Sequence, residues 1–263
     1  MEMIAASKMR KAQERGLAGR NYSEKITQVI ASLAAMPQEK GANPLLMGRP
    51  EPKRIELVHI TPDRGLSGGL VSNMNRKAAS FILGEGLPAS VVAVGSKGLE
   101  FMRRTSQDVA AEFTNLGDRP GLLQTLPISR IVMDDFTSGK VDAVYLSYVR
   151  FVSTAVQTPV VQRLLPVTPA PAESGLATEY LFEPNVSEVL AALLPRFVEM
   201  QIYHAILESI ASEQSARMMA MRSATDNAEE LITDLTLVYN KARQESITTE
   251  LLDIIGGAAA LSK

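Results

Sequence analysis

RFVEMQIYHAILESIASEQSARMMAMRSATDNAEELITDLTLVYNKARQESITTELLDII, residues 196–255, contains neither glycine nor proline across 60 positions. At about 1.5 Å per residue, such a run makes a helix of roughly 90 Å. Helices in globular proteins usually stop after about three to four turns. A domain of about 130 residues has a radius of gyration of only about 14 Å. The run therefore predicts a helix that projects, with a buried stripe that needs a partner. Apolar positions recur at Leu207, Ala211, Met218, Met221, Ala228, Leu231, Leu235, Val238 and Ala242, a small, Met-rich seam of coiled-coil type. The start of the helix is marked by Asn185, an N-cap with Glu188 at the third helical position, a variant capping box.

The partner is at the other end of the chain. Met1, Ala5, Met9 and Ala12, then Tyr22, Ile26, Val29 and Leu33, step by threes and fours, the helical period. Gly16 and Gly19 between the two runs mark a bend or a thinner contact. If the two terminal helices lie antiparallel, both stripes are buried. The last turns of the long helix remain unmatched, with Ile247, Leu251, Ile254, Ala258 and Leu261 in one stripe. An exposed apolar stripe of that kind marks an interaction site.

Between the helices the pattern changes. Residues 55–60 (IELVHI), 91–94 (VVAV) and 141–151 (VDAVYLSYVRF) read as strands, and the proline-flanked 159–165 as an edge strand. Residues 72–83 and 122–136 read as intervening helices, and 180–183 (YLFE) as a last short strand. Strand–helix alternation, with strands apolar on both faces, argues for a mainly parallel sheet covered on both sides. Breaker-rich segments at 37–53 and 166–178 separate the zones. The expected fold class is α/β: a coiled coil of N- and C-terminal helices around a Rossmann-like domain. The divisions are an N-terminal helix at 1–36, the α/β domain at 54–183 and the long helix at 186–263.

Composition narrows the function. The 263 residues carry 27 Lys+Arg against 29 Asp+Glu, which excludes a strongly basic nucleic-acid binder. With no cysteine and two histidines, disulfide scaffolds, thiol chemistry and Cys- or His-rich metal sites are excluded. No stretch has the roughly 20 apolar residues of a membrane span, and the N-terminus lacks the apolar core of a signal peptide.

Four blocks carry a family resemblance. MEMIAASKMRKAQ (1–13), TPDRGLSGGLVSNMN (61–75), SEQSARMMAMRSATDNAEELI (212–232) and YNKARQESITTELLDIIGGAAAL (239–261) resemble the gamma subunit of the bacterial rotary F-type ATP synthase, in order along the whole chain. The resemblance implies an antiparallel coiled-coil axle inside a head of alternating alpha and beta subunits. It implies a foot beside the epsilon subunit on the membrane c-ring, at the cytoplasmic face of the cell membrane. It also implies a mechanical coupler without catalytic residue or cofactor, which turns with the proton-driven ring and sets the nucleotide states of the beta subunits. By position, Arg243 and Gln244 match a catch on a beta-subunit loop, and Glu213 and Arg217 a polar girdle that supports torque. Tyr180, Phe182 and Glu183 match the surface resting on the c-ring, and residues 251–261 the tip held in an apolar sleeve of the head. Lys8, Arg10, Lys11, Arg15 and Arg20 would face the acidic beta-subunit loop that the axle pushes. Family members normally begin several helical turns upstream of the position matching Met1. The cysteine-containing regulatory insert of chloroplast members is excluded, since the chain has no cysteine.

The remaining motifs read as structural. Residues 63–69 (DRGLSGG) follow a strand and open a helix, but lack the P-loop GK[ST] and the dinucleotide spacing, so a tight turn is favoured over a phosphate site. Gly95-Ser96-Lys97-Gly98 is a weaker signal of the same kind. Asp134 and Asp135, adjacent on a helix, diverge by about 100° and are expected on a solvated surface. His204 is expected to be packed or on the surface, and His59 is given no role. The competing reading is a nucleotide-binding α/β enzyme dimerised through a helical hairpin. The absence of a convergent acid/base or nucleophile set opposes it.

Overall fold

All six residues of Ile55–Ile60 are buried, as expected of a strand covered on both faces. This strand, β1, is the centre of the sheet. The computed structural model describes residues 1–34, 43–49, 51–168 and 185–261. In chain order the elements are α1 (Glu2–Ala34), β1 (Ile55–Ile60), α2 (Leu70–Glu85), β2 (Ala89–Val94), α3 (Ser96–Arg104), β3 (Asp108–Phe113), α4 (Leu122–Thr137), β4 (Ala143–Phe151), β5 (Gln157–Leu165) and α5 (Val186–Leu261).

The sheet order is β3-β2-β1-β4-β5. β1 pairs in parallel with β2 and with β4, and β2 with β3. β5 returns antiparallel along β4, with Pro159 opposite Val149. Of the two prolines expected to confine this stretch to an edge, Pro159 lies in the edge strand and Pro166 directly follows it. Alternate residues divide between two faces. Leu57, Val91 and Ala93 meet Ala78 and Ile82 of α2 and Leu99 and Met102 of α3. Val58, Ile60, Val92, Val94 and Leu146 meet Ile128, Val132 and Phe136 of α4 and Leu194, Val198 and Ile202 of α5. Ala12, Ile26 and Ile30 of α1 join that second cluster, so the two terminal helices pack together. Each fully buried aliphatic side chain here contributes about 1.5–3 kcal/mol.

Two elements were not foreseen. β3 (DVAAEF) alternates exposed and half-buried positions at the other edge, and its Asp, Ala and Glu are poor strand formers. α3 begins inside what read as a lone glycine turn. Gly95 has φ of 94°, and a Cβ there would lie 1.9 Å from the Thr61 carbonyl oxygen. At Gly98 a Cβ would lie 2.7 Å from the Thr61 side chain and 2.8 Å from the His59 ring. These glycines let α3 sit directly against the end of β1.

The chain forms two compact units, Met1–Met219 and Ala220–Lys263. In the first, Leu207 and Ala211 of the seam are buried and Met218 is half-buried. In the second, Met221 is half-buried and the side chains of residues 222–258 are exposed, including Ala228, Leu231, Leu235, Val238 and Ala242. The start of α5 is capped as its sequence suggests. Asn185 Oδ1 accepts from the Glu188 amide at 2.9 Å. Glu188 Oε1 in turn accepts from Asn185 Nδ2 at 2.8 Å, rather than from the cap's backbone amide.

Candidate functional site

The chain runs from β1 to β2 to β3 towards one edge, and β4 then lies on the other side of β1. In open α/β sheets the crevice beyond the strand ends at such a reversal is where ligands bind. Here α5 fills it. Ser209 Oγ accepts from the Val149 amide at 3.3 Å, and Ser212 Oγ donates to the Val149 carbonyl at 3.3 Å. Ser215 Oγ donates to the Thr154 carbonyl at 2.8 Å and accepts from Gln157 Nε2 at 3.4 Å. Arg217, held by Glu213 at 2.6 Å, donates to the Gly65 carbonyl at 3.1 Å. Burial pushes the Glu213 carboxyl up, while Arg217 pulls it down.

The 63–69 segment is a turn. Leu66 and Gly68 have φ of 64° and 58°. The Asp63 carboxylate accepts from the amide and hydroxyl of Ser96, both at 2.9 Å, and from the Asn115 amide at 3.0 Å. A carboxylate thus already occupies the α3 N-terminus, where a phosphate would bind. Asp118 bridges the terminal helices, accepting from Lys8 of α1 at 2.6 Å and Gln214 of α5 at 3.3 Å. Beside it is a cleft of about 470 Å³ lined in part by Lys8, Lys11, Arg15 and Arg119.

Acid chemistry in the sheet is placed differently from the sequence expectation. Asp134 is exposed, but Asp135 is not a solvated surface residue: it pairs with Lys140 at 2.7 Å and its side chain is 17% exposed. Its carboxylate lies near Glu56 of β1 because helix and strand pack face to face. Glu56 is fully buried, and neither carboxylate oxygen has a hydrogen-bond partner. Burial first, then the Asp135 charge, pushes its carboxyl up to about 8. His59 is also fully buried, between Asn75 Oδ1 at 2.9 Å and Ser147 Oγ at 3.1 Å. Burial lowers it to about 4, so it is a neutral structural residue at physiological pH. Among the described residues no group of acids and histidines could hold a metal ion.

A family model described as ATP synthase matches residues 1–261. The ATP synthase gamma chain of Dehalococcoides mccartyi strain 195 is 66% identical over 263 residues, all of this chain and 92% of the relative. The chain belongs to the ATP synthase gamma chain family. The gamma chain of Roseiflexus castenholzii is 50% identical over 266 residues, again covering 100% of this chain and 92% of the relative. The fold is also that of a chain in the central stalk and c-ring structure of the Tetrahymena thermophila mitochondrial ATP synthase. There the TM-score is 0.63 at 24% identity, over 86% of this chain and 97% of that one. A chain of the Euglena gracilis mitochondrial enzyme gives a TM-score of 0.63 at 19% identity, over 97% and 95%.

As a gamma chain, the protein is a non-catalytic subunit of the central rotor stalk. The competing enzyme reading fails here. Glu213 and Arg217 are brought together beside the sheet. Arg243 and Gln244 are exposed on α5, as are Ile247, Leu251, Ile254 and Ala258. Leu261 ends the helix. Tyr180, Phe182 and Glu183 lie outside the described residues. The signal missed in the sequence was the spacing of Ser209, Ser212 and Ser215, three polar residues at steps of three on a helix face that is apolar upstream.

Proposed function

We propose that this chain couples rotation of a proton-driven c-ring to the nucleotide states of three beta subunits. It would do so as a peripheral component at the cytoplasmic face of a bacterial membrane, with epsilon beside its foot. Among the described residues no helix is long and apolar enough to cross a membrane. Membership of the gamma chain family over the whole chain carries this reading. The exposed stripe of Ile247, Leu251 and Ile254 supports it, because that much apolar helix surface calls for a covering partner. The head's apolar sleeve is the cover proposed, with Ala258 and Leu261 continuing the stripe. Arg243 and Gln244 serve as the catch on a beta-subunit loop, Glu213 and Arg217 as the girdle, and Tyr180, Phe182 and Glu183 as the c-ring contact. The cations of the cleft suit an acidic loop of the beta subunit.

The test is ATP turnover of the assembled complex carrying Arg243→Ala and Gln244→Ala. Turnover falls several-fold with subunit composition unchanged. Unaltered turnover in the double variant rules out the catch.

A further inference from the structure

We propose that Ser209, Ser212 and Ser215, assisted by Gln214, are positioning residues that lock the angle of α5 on the sheet and set the torsional stiffness of that joint. The proposal rests on the rotor reading above. Upstream in α5, Leu190, Leu194, Val198, Ile202 and Ile206 are buried in the common core. Apolar burial is non-directional. Over residues 209–217 side-chain hydrogen bonds are added to the apolar contacts of Ile210, Ala211 and Ala216, and hydrogen bonds are directional. The three serines are 6%, 0% and 0% exposed, and Gln214 is 1% exposed.

Their partners come from separate segments: Val149 in β4, Thr154 in the β4–β5 turn and Asp118 in the loop before α4. At about 100° per residue, three serines at steps of three sweep about 120° of the helix perimeter. A roll of α5 in either direction therefore breaks bonds on one flank or the other. The hydroxyls of Ser209, Ser212 and Ser215 are buried, as are both bonds to Val149, so a roll that breaks those two leaves buried groups without a partner. Serine is also small enough for the helix backbone to come close to the strand end. The same helix continues to Leu261, so torque passing between its far end and the sheet has to pass this joint.

The chain has no cysteine, so a single cysteine at Leu83, which is 81% exposed on α2, gives a bead attachment unique within this chain, the alpha and beta subunits being used in cysteine-free form. The measurement is the bead's angular spread during the pauses of ATP-driven rotation, in the complex assembled with alpha and beta subunits. The triple variant S209A/S212A/S215A widens the angular variance at least twofold while ATP turnover per complex is unchanged. Gln214→Ala widens it less, and Ser187→Ala, an exposed serine of the first α5 turn, leaves it unchanged. A merely stabilising role would reduce the yield of complex without broadening the pauses. An assembled triple variant with unchanged variance overturns the proposal. If the triple variant does not assemble, Ser212→Ala and Ser215→Ala are measured singly, each broadening the pauses, and unchanged widths overturn it equally. A wild-type complex that hydrolyses ATP without turning the bead overturns the rotor reading itself.

Discussion

Glu56 carries a proton at neutral pH that the unfolded chain releases, because its folded value of about 8 is above the ordinary 4.5. Between those values the folded state binds more protons, so stability falls as pH rises through this window and levels off above it. Burial raises Glu208 and Glu213 too, which steepens the trend. Glu56→Gln keeps the shape without the charge. It is expected to raise stability at pH 8.5 by about 2 kcal/mol, to change little at pH 5, and to flatten the profile between them. Thermal unfolding of the purified chain across that range checks it. A steeper profile in the variant would contradict the account. Gly98→Ala acts through sterics, since its new methyl meets Thr61 and His59 at under 3 Å. It is expected to cost about 2 kcal/mol, read from denaturant midpoints. Neither residue showed its importance in the sequence. In IELVHI, Glu56 and His59 are the two polar interruptions of an otherwise apolar run, and they fall on opposite faces of the strand. Only the placement of helices on both sheet faces buries them and brings Asp135 beside Glu56.

Among the elements, the strong patterns were legible and the weak ones were not. β1 and β4 follow from continuous apolar runs, both terminal helices from their apolar stripes, and β5 is at an edge for the reason Pro159 gives. β3 lacks that signal because an edge strand needs fewer apolar side chains. α3 does carry an apolar side, Leu99 and Met102, but its nine residues follow directly on a glycine turn and are too few for a periodic pattern to stand out. The α5 cap was readable because its chemistry is local to Asn185 and Glu188. Asn185→Ala is expected to cost about 1 kcal/mol. It should also speed amide exchange in the first turn of α5 while leaving β1 and β4 protected. Equal acceleration in β1 would mean that the cap contributes to the whole domain. The serine joint was not legible for the opposite reason: its partners are distant in sequence, at Val149, Thr154 and Gln157.

For the whole molecule, the 60-residue run free of glycine and proline, the α/β centre and the family blocks point to one kind of machine part. A long helix bound to a sheet by directional bonds suits the transmission of rotation. Exposed apolar positions at Leu231, Leu235, Ile247, Leu251 and Ile254 call for a surrounding partner. The most direct measurement is co-expression with the cognate alpha and beta subunits, followed by size-exclusion chromatography and subunit stoichiometry. The account predicts a stable complex with one copy of this chain for every three alpha and three beta subunits. An alpha–beta assembly that excludes this chain, or that holds it in equal numbers with beta, would contradict it.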